Sequence, residues 1–395
     1  MRFLPTSVTA ISLAASCAAL AQTDSSTSSW QLYATWNGAT LATYTDFAAC
    51  RQAAALARDL ACKPTVPSTN NTPTPPAVQP QSVKPPVMNT AFKIDASSLP
   101  DPAVGFAYER IQPTTEVAPP SDIGAFRIPC SFSHMAFDDP IVYPGVPGAA
   151  HLHTFFGNTA TSATSTAESI RTSGNSTCRG GTINRSAYWV PSMIDTKTGK
   201  PIVPDFAGIY YKQGYALNPP TLIQPLPVGL RMIAGDPTSN HPASPSTYFK
   251  CIGGPNNSND QYGPSIPNCD AGAQVYQVID FPQCWDGKNL DAPDHKSHMS
   301  YVVVTGSGFA CPATHPVALP QISFNIVYTV QTPNAATAWR LSSDAYDASL
   351  PAGYSSHGDW FNGWEKPISD AWVAGCIQTR RDCHAHLIGD GRMMY

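Results

Sequence analysis

Proline and glycine are the residues that most constrain what this chain can fold into. Its 395 residues include 39 prolines and 27 glycines, which divide the sequence into short segments. Both residues interrupt helices and mark turns. In the region from Ala91 onward few segments have a helical period, and Ile368–Cys376 has the best one. From Ala91 onward the candidate strands are Gly124–Pro129, Ala187–Ile194, Phe206–Tyr211, Leu230–Ala234, Ala273–Ile279, His298–Val304 and Ile322–Val330.

Many short strands with turn residues between them predict a mainly β fold. We expect a β-sandwich or a jelly-roll-like domain with long, disulfide-stapled loops. A small module made of a hairpin and a helix precedes this domain. In that module Asn37-Gly38 turns the hairpin, and Asp46 caps a helix from Phe47 to about Leu60.

The sequence divides into four parts, beginning with a predicted signal peptide at residues 1–21. Met1-Arg2 gives it a basic start, and the apolar run Val8–Leu20 is followed by Ala21. That run is too short for a bilayer, which needs roughly 20 apolar residues, so we expect a secreted, extracellular protein without a transmembrane segment. Residues 22–62 form the small module, residues 63–91 a Pro/Thr-rich linker, and residues 92–395 the main domain.

The cysteine content agrees with export. The chain has 11 cysteines, of which Cys17 lies in the predicted signal peptide. An even set in an exported chain predicts disulfides, and we expect local pairs within this set. The expected pairs are Cys251 with Cys269, Cys284 with Cys311, and Cys376 with Cys383. The other mature cysteines are Cys50, Cys62, Cys130 and Cys178.

The charge balance excludes some partners. Charged residues make up 13% of the chain and the net charge is −4, which argues against a nucleic-acid-binding protein. We expect a monomer whose partner is an extracellular polysaccharide or a cell wall. Four N-x-S/T sequons predict surface glycosylation sites if the host glycosylates. They begin at Asn70, Asn175, Asn184 and Asn256.

Histidines and aspartates gather in three segments of the main domain. His151 and His153 are two residues apart, so both side chains would face the same side of an extended strand. The segment Cys284–His298 holds three aspartates and two histidines in a predicted loop. Ser356–Trp364 adds His357 and two tryptophans.

These segments resemble the family described as domain of unknown function 1996. The similarity rests on Cys-Trp-Asp-Gly and Asp-His-x-Ser-His with His-Leu-His upstream, and it covers roughly residues 110–390. The resemblance implies a secreted microbial protein and no particular reaction. The segments that carry it are Asp138–Asn158, Tyr188–Ile194, Gly229–Pro237, Cys284–His298, His315–Gln321 and His357–Trp364.

Three functions fit this pattern, and the first is a glycan-cleaving hydrolase. Glycoside cleavage needs one carboxyl group as acid and another as base or nucleophile, and a histidine can replace the base. The candidate catalytic residues are Asp139, Asp286, Asp294, His295 and His298. Aromatic residues and a histidine would bind the sugar. The candidates are Tyr188, Trp285, His357, Trp360 and Trp364.

The second function is a metal-dependent extracellular protein. Neutral imidazoles suit copper or zinc, and the candidate ligands are His151, His153 and His298, with His295 as the alternative third histidine. The third function is binding of a glycan or cell wall without catalysis.

Each candidate residue also has a purely structural interpretation. Aspartates beside glycine or proline commonly cap turns, which applies to Asp138, Asp286 and Asp291. Tryptophans in an exported β domain commonly fill the core. His384 and His386 form another pair two residues apart, in a segment next to Cys383 that is typical of plain surface.

Overall fold

The computed structural model describes residues 92–214, 222–242, 246–254, 262–306 and 308–395, and the backbone of three earlier strands. Those strands are β1 (Trp30–Ala34), β2 (Thr40–Tyr44) and β3 (Leu60–Pro64), in the order β2-β1-β3. β1 and β2 are the predicted hairpin strands. β3 covers the place where we expected the helix to end and the linker to begin. Most of the predicted helix, the signal peptide and most of the linker lie outside the described residues.

The larger sheet of the main domain has six strands, all paired antiparallel. In chain order they are β5 (Ala125–Cys130), β11 (Phe206–Lys212), β13 (Thr247–Ile252), β14 (Tyr262–Gly263), β15 (Gln274–Asp280) and β21 (Gln321–Thr329). Their order across the sheet is β14-β13-β15-β21-β11-β5. Buried and part-exposed residues alternate along β5 and β11, so one face of this sheet packs on the core and the other faces outward.

The second sheet has five strands in the order β12-β23-β8-β7-β6. They are β6 (Phe132–Ala136), β7 (His153–Gly157), β8 (Ala187–Pro191), β12 (Arg231–Gly235) and β23 (His357–Phe361). Every residue of β7, β8 and β23 is buried, so both faces of this sheet are covered.

The two sheets pack face to face and form the predicted β-sandwich. Tyr188 of the five-stranded sheet and Phe324 of the six-stranded sheet have ring centroids 5.6 Å apart. Gly358 lies so close to Ile279 and Phe324 that an added Cβ would come within 3.0 Å of the isoleucine. The main hydrophobic core is the layer between the sheets.

A second, smaller core covers the outer face of the five-stranded sheet. Phe155, Trp189 and Phe361 lie on that face and pack with buried Ile141 and Ile170. Ile141 belongs to the loop before β7, and Ile170 belongs to helix α1 (Ala167–Thr172). This covering layer explains why the five-stranded sheet has no face in water.

Smaller elements complete the domain. Short sheets pair β4 (Ile111–Pro113) with β24 (Arg392–Met394), β18 (Val303–Thr305) with β19 (Gly308–Ala310), β9 (Met193–Asp195) with β10 (Lys200–Pro201) and β22 (Trp339–Leu341), and β16 (Cys284–Trp285) with β17 (Met299–Ser300) and β20 (Val317–Ala318). The predicted strand His298–Val304 is therefore split between β17 and β18.

The predicted helix is α2 (Lys366–Trp372), continued by a π-helical turn at Val373–Ile377. Short 3₁₀ turns occupy Ala96–Ser98 and Ala335–Ala338. No helix among the described residues is long and apolar enough to cross a membrane.

Four disulfides link the described residues, and the three predicted local pairs are confirmed. The fourth joins Cys130 to Cys178, two residues that also form an isolated β-bridge. A set of four disulfides fits an extracellular protein.

Three residues predicted to stack on sugar rings lie in the core instead. Tyr188, Trp360 and Trp364 are at most 1% exposed, so no ligand can reach them. Tyr188 and Trp364 are tied into a hydrogen-bonded chain. The Tyr188 and Tyr211 hydroxyls are 2.8 Å apart, and Trp364 Nε1 donates to Tyr211 Oη at 2.9 Å. Asn184 donates to Tyr188 Oη at 2.8 Å and is fully buried, so its sequon is wrong as a surface glycosylation site.

We predict that Tyr188→Phe destabilises the domain by about 1–3 kcal/mol, because it leaves the buried Asn184 amide without its acceptor. Urea unfolding followed by tryptophan fluorescence measures the loss. Tyr108→Phe is the matched control, since Tyr108 is 61% exposed and should lose nothing. Equal stability of the two variants would contradict the proposed role of the hydroxyl chain.

Candidate metal centre

Strand alternation places ionisable side chains on the outer face of the five-stranded sheet. His153 shares that face with Phe155 on β7, and His357 and Asp359 share it on β23. β8 lies between these two strands, and Pro191 pairs with His153. Continuing the β8–β23 register, in which Trp189 pairs with Asp359, puts Pro191 opposite His357 as well. The short proline ring lets the two imidazoles lean towards each other across the middle strand.

Three imidazoles lie close together on the outer side of this sheet. The ring centroids of His151 and His153 are 4.2 Å apart, and those of His153 and His357 are 5.8 Å apart. Nε2 of His151 is 3.2 Å from Nε2 of His357. One ligand atom from each of the three side chains lies within 4.8 Å of the others. The predicted convergence of His151 and His153 is therefore present, and a third histidine joins them.

Backbone carbonyls fix which nitrogen of each ring carries the proton. His153 Nδ1 lies 2.9 Å from the carbonyl oxygen of Asp138, and His357 Nδ1 lies 2.8 Å from that of Ser355. A carbonyl oxygen can only accept, so Nδ1 holds the hydrogen in both rings. This leaves Nε2 as a lone pair on each imidazole, which is the arrangement that metal-binding histidines use. Nε2 of His153 is buried and has no hydrogen-bond partner among the described residues.

Two buried carboxyl groups border the imidazoles. Asp139, Asp359 and His153 form a second group whose ligand atoms lie within 4.8 Å of one another. Asp139 Oδ1 accepts the backbone N–H groups of Ile141 and Val142, both at 2.8 Å. Asp359 Oδ2 is 4.0 Å from His357 Nε2 and has no hydrogen-bond partner among the described residues. The site thus offers unused nitrogen and oxygen lone pairs side by side.

Burial controls the protonation of all five groups. Desolvation lowers the pKa of His153 to about 4, although its bond to the Asp138 carbonyl opposes this shift. Desolvation, with the neighbouring His153, lowers the pKa of His357 to about 3, and it lowers that of His151 as well. Burial raises the pKa of Asp139 and of Asp359, the latter further because Asp139 is close. At neutral pH the imidazoles are therefore uncharged.

One side of the centre is more open to solvent than the others. His153, His357, Asp139 and Asp359 are between 1% and 4% exposed. His151, which comes just before β7, is only half-buried. A small molecule approaching from solvent would therefore reach His151 first.

The Cys284–His298 loop runs along the edge strand β12 and supplies none of these donors. His298 was predicted as the third metal ligand, but the structure places His357, not His298, beside His151 and His153. His298 Nε2 donates to the Arg231 carbonyl at 2.7 Å. Arg231 is at the opposite end of β12 from Gly235, which pairs with His357. Four residues of strand separate these positions by about 13 Å.

The other residues predicted in that loop have structural partners. Asp286 accepts the N–H groups of Lys288 and Asn289, and Asp294 accepts those of Lys296 and Ser297. These bonds outweigh desolvation and lower the pKa of both, that of Asp294 to about 2. A carboxyl group held ionised in this way is a poor general acid. His295 bonds to Asp291, which also pairs with Arg231.

Trp285 is the one predicted aromatic of this loop, and it is partly exposed. Its Nε1 donates to the Asn289 carbonyl at 2.6 Å. The loop nevertheless lies near the histidines, because Lys296 Nζ donates to the Gly235 carbonyl at 2.8 Å. The loop therefore lies beside the imidazoles and contributes no atom to the cluster.

Sequence reasoning did not single out Asp359 and gave His357 a sugar-binding role. The signal for both was available. His357 and Asp359 are two residues apart, as His151 and His153 are, and the alternation rule for an extended strand puts both on one face.

Removing His153 should make the stability of the metal-free protein less sensitive to acid. Unfolded histidine takes up a proton near pH 6.5, whereas native His153 does so only near pH 4. The stability that depends on this neutral ring is thus full above pH 6.5 and is lost as the pH falls towards 4. As the pH falls from 6.5 to 5, the free energy of unfolding should decrease by about 1.5 kcal/mol more in the unaltered protein than in His153→Gln. Urea titrations at each pH measure this, and parallel pH profiles would contradict the lowered pKa.

Comparison with known proteins is informative at the level of sequence family. The family described as Domain of unknown function (DUF1996) matches residues 139–364, somewhat less than the span of roughly 110–390 that we expected. No curated protein and no solved structure matches the chain. All five residues of the candidate metal centre lie within the matched segment, from Asp139 at its first position to Asp359 near its end. The chain belongs to the DUF1996 family.

Proposed function

We propose that this protein is exported and binds one divalent transition-metal ion through His151, His153 and His357, with Asp359 as the oxygen ligand. The observation that carries the proposal is the pair of buried lone pairs without partners, on His153 Nε2 and Asp359 Oδ2. Burying a polar atom without a partner costs free energy, and a metal ion would recover that cost at both atoms.

The geometry of the imidazoles supports the same proposal. Metal–nitrogen bonds are about 2.0–2.1 Å long, so two of them at an angle of about 100° hold their nitrogens about 3.2 Å apart. His151 Nε2 and His357 Nε2 have that separation, 3.2 Å. Their rings are neutral at pH 7, so a metal ion need not displace protons from them.

Three imidazoles and a carboxylate suit zinc or copper, the metals expected from the sequence. Asp139 would stay outside the ligand set, because its Oδ1 already accepts two backbone N–H groups. Its carboxylate, once ionised, would help to neutralise the ion. An ion held here would meet solvent on the His151 side, where an exchangeable ligand or substrate could bind.

Glycan cleavage is the weaker proposal for this site. Asp139 and Asp359 are buried beyond the reach of a sugar, and Asp286 and Asp294 hold capping bonds. Action on polysaccharide therefore remains a prediction from the sequence, and the metal centre is the function that the geometry favours.

Titration of chelator-treated protein with Zn²⁺ and Cu²⁺ tests the metal proposal, with calorimetry as the readout. We expect one ion per chain, bound at least about 100-fold more weakly by His357→Ala and by His153→Ala, because each loses one direct ligand. Thermal unfolding should show that the ion raises the melting temperature of the unaltered protein more than that of the two ligand variants.

His315→Ala is the matched control. His315 lies outside the cluster and bonds Ser297 and Thr314, so its loss should leave the affinity unchanged. Failure of both ions to bind, or equal affinity in all three variants, would exclude this centre as the metal site.

A further inference from the structure

The outer face of the six-stranded sheet carries a row of aromatic and cationic side chains. These residues alternate with core residues along their strands, so they share one face. We call them the tyrosine–cation face: Arg127, Phe206, Tyr210, Lys212, Tyr248, Lys250, Tyr262 and Tyr276. All are partly or largely exposed, Tyr262 the most at 59%.

The strand register places several of these side chains in one row across the sheet. Lys250 pairs with Tyr262 on one side and with Tyr276 on the other, and Tyr276 pairs with Val327, which pairs with Phe206. Strands are about 4.8 Å apart, so this row is about 19 Å long, enough for several sugar rings. Lys250 Nζ lies 5.4 Å and 5.3 Å from the centroids of Tyr262 and Tyr276.

A second group of the same composition lies beside this row. Lys212 Nζ is 4.9 Å and the Arg127 guanidinium is 5.4 Å from the Tyr210 ring centroid. Tyr210 pairs directly with Arg127 across the strands. Aromatic rings and cations therefore interleave over the face rather than occurring singly.

Two neighbouring lysines without an ion-pair partner in the described part of the chain distinguish this face. Arg127 pairs with Asp382 at 2.8 Å, but Lys212 and Lys250 have no ion-pair partner among the described residues. Desolvation lowers the pKa of Lys250, and the charge of Lys212 lowers it further. The nearby acids are Asp205, which accepts a bond from Thr329, and buried Asp280, whose pKa is raised by burial against the opposing effect of Lys212 and Lys250. A bound anion would relieve the repulsion between the two lysines.

A cavity continues the face at its far end. It has a volume of about 250 Å³, and Phe206 and Pro129 line it together with Arg110 and Arg179. Arg110 stacks on Phe106, with the guanidinium carbon 4.1 Å from the ring centroid, and its Nε is buried without a partner among the described residues. Two further cations thus stand at the end of the row.

We propose that the tyrosine–cation face binds an acidic polysaccharide, one whose sugar rings carry carboxylates. Tyrosine offers an apolar ring to the face of a sugar and a hydroxyl to its oxygens. The lysines and Arg110 match carboxylates spaced along the chain. Nucleic acid fits less well, because the protein's net charge of −4 repels a dense row of phosphates. This surface lies on the opposite sheet from the metal centre, so the two proposals are independent.

Calorimetry with oligomers of polygalacturonate tests the proposal, with fully methyl-esterified oligomers as the uncharged counterpart. We expect binding of the charged oligomers, weakened by added NaCl and unaffected by chelators. The double variant Lys250→Ala/Tyr276→Ala should bind at least about tenfold more weakly, a loss of about 1.4 kcal/mol. The single variant Lys250→Gln keeps the Tyr276 ring and the fold. It should also bind the charged oligomers more weakly than the unaltered protein does.

Lys197→Ala/Tyr108→Ala is the matched control, since it removes the same two residue types from exposed positions elsewhere. Its affinity should equal that of the unaltered protein. Three results would overturn the proposal: equal binding of charged and esterified oligomers, no loss in the Lys250 variants, or tighter binding of single-stranded nucleic acid than of polygalacturonate. Absence of binding to polygalacturonate would overturn it as well.

Discussion

Desolvation of five ionisable side chains, three on one sheet face and two in the loop before β7, is the constraint on which the proposed centre depends. A β-sandwich normally leaves the outer faces of its sheets in water. Here the loop that carries Ile141 and the helix that carries Ile170 cover the outer face of the five-stranded sheet. His153, His357, Asp139 and Asp359, at the edge of that covered area, are buried with it, and His151 is half-buried. Neutral imidazoles, raised carboxyl pKa values and unpartnered lone pairs all follow from this burial.

The covering layer also orients one of the proposed ligands, His153. Asp138 and Asp139 lie at the start of the loop, and each makes different hydrogen bonds. The Asp138 carbonyl oxygen accepts the Nδ1 hydrogen of His153, and its carboxylate accepts the N–H groups of Gly148 and Ala163. Asp139 holds the next turn through Ile141 and Val142. The loop that buries the site therefore also fixes the tautomer of one of its histidines, which links the fold of this segment to its chemistry.

The sequence predicted the fold better than the site. Proline and glycine spacing located most strands to within a few residues, and the local cysteine pairs were confirmed because short loops restrict their partners. His151 and His153 were found because alternation in one strand is a local rule. His357 was not recognised as their partner, since 206 residues separate it from His151 and only the β7-β8-β23 order brings them together. Trp360 and Tyr188 were misplaced because both faces of the five-stranded sheet are covered, which the pattern within a single strand does not reveal.

X-ray absorption spectroscopy of the copper- or zinc-loaded protein tests the proposed centre most directly, because it counts ligands at the metal itself. Three imidazole nitrogens and one oxygen at about 2.0 Å are expected, with the third imidazole lost in His357→Gln. A metal surrounded by oxygen with one imidazole or none, or a spectrum that His357→Gln leaves unchanged, would contradict a centre built from His151, His153 and His357.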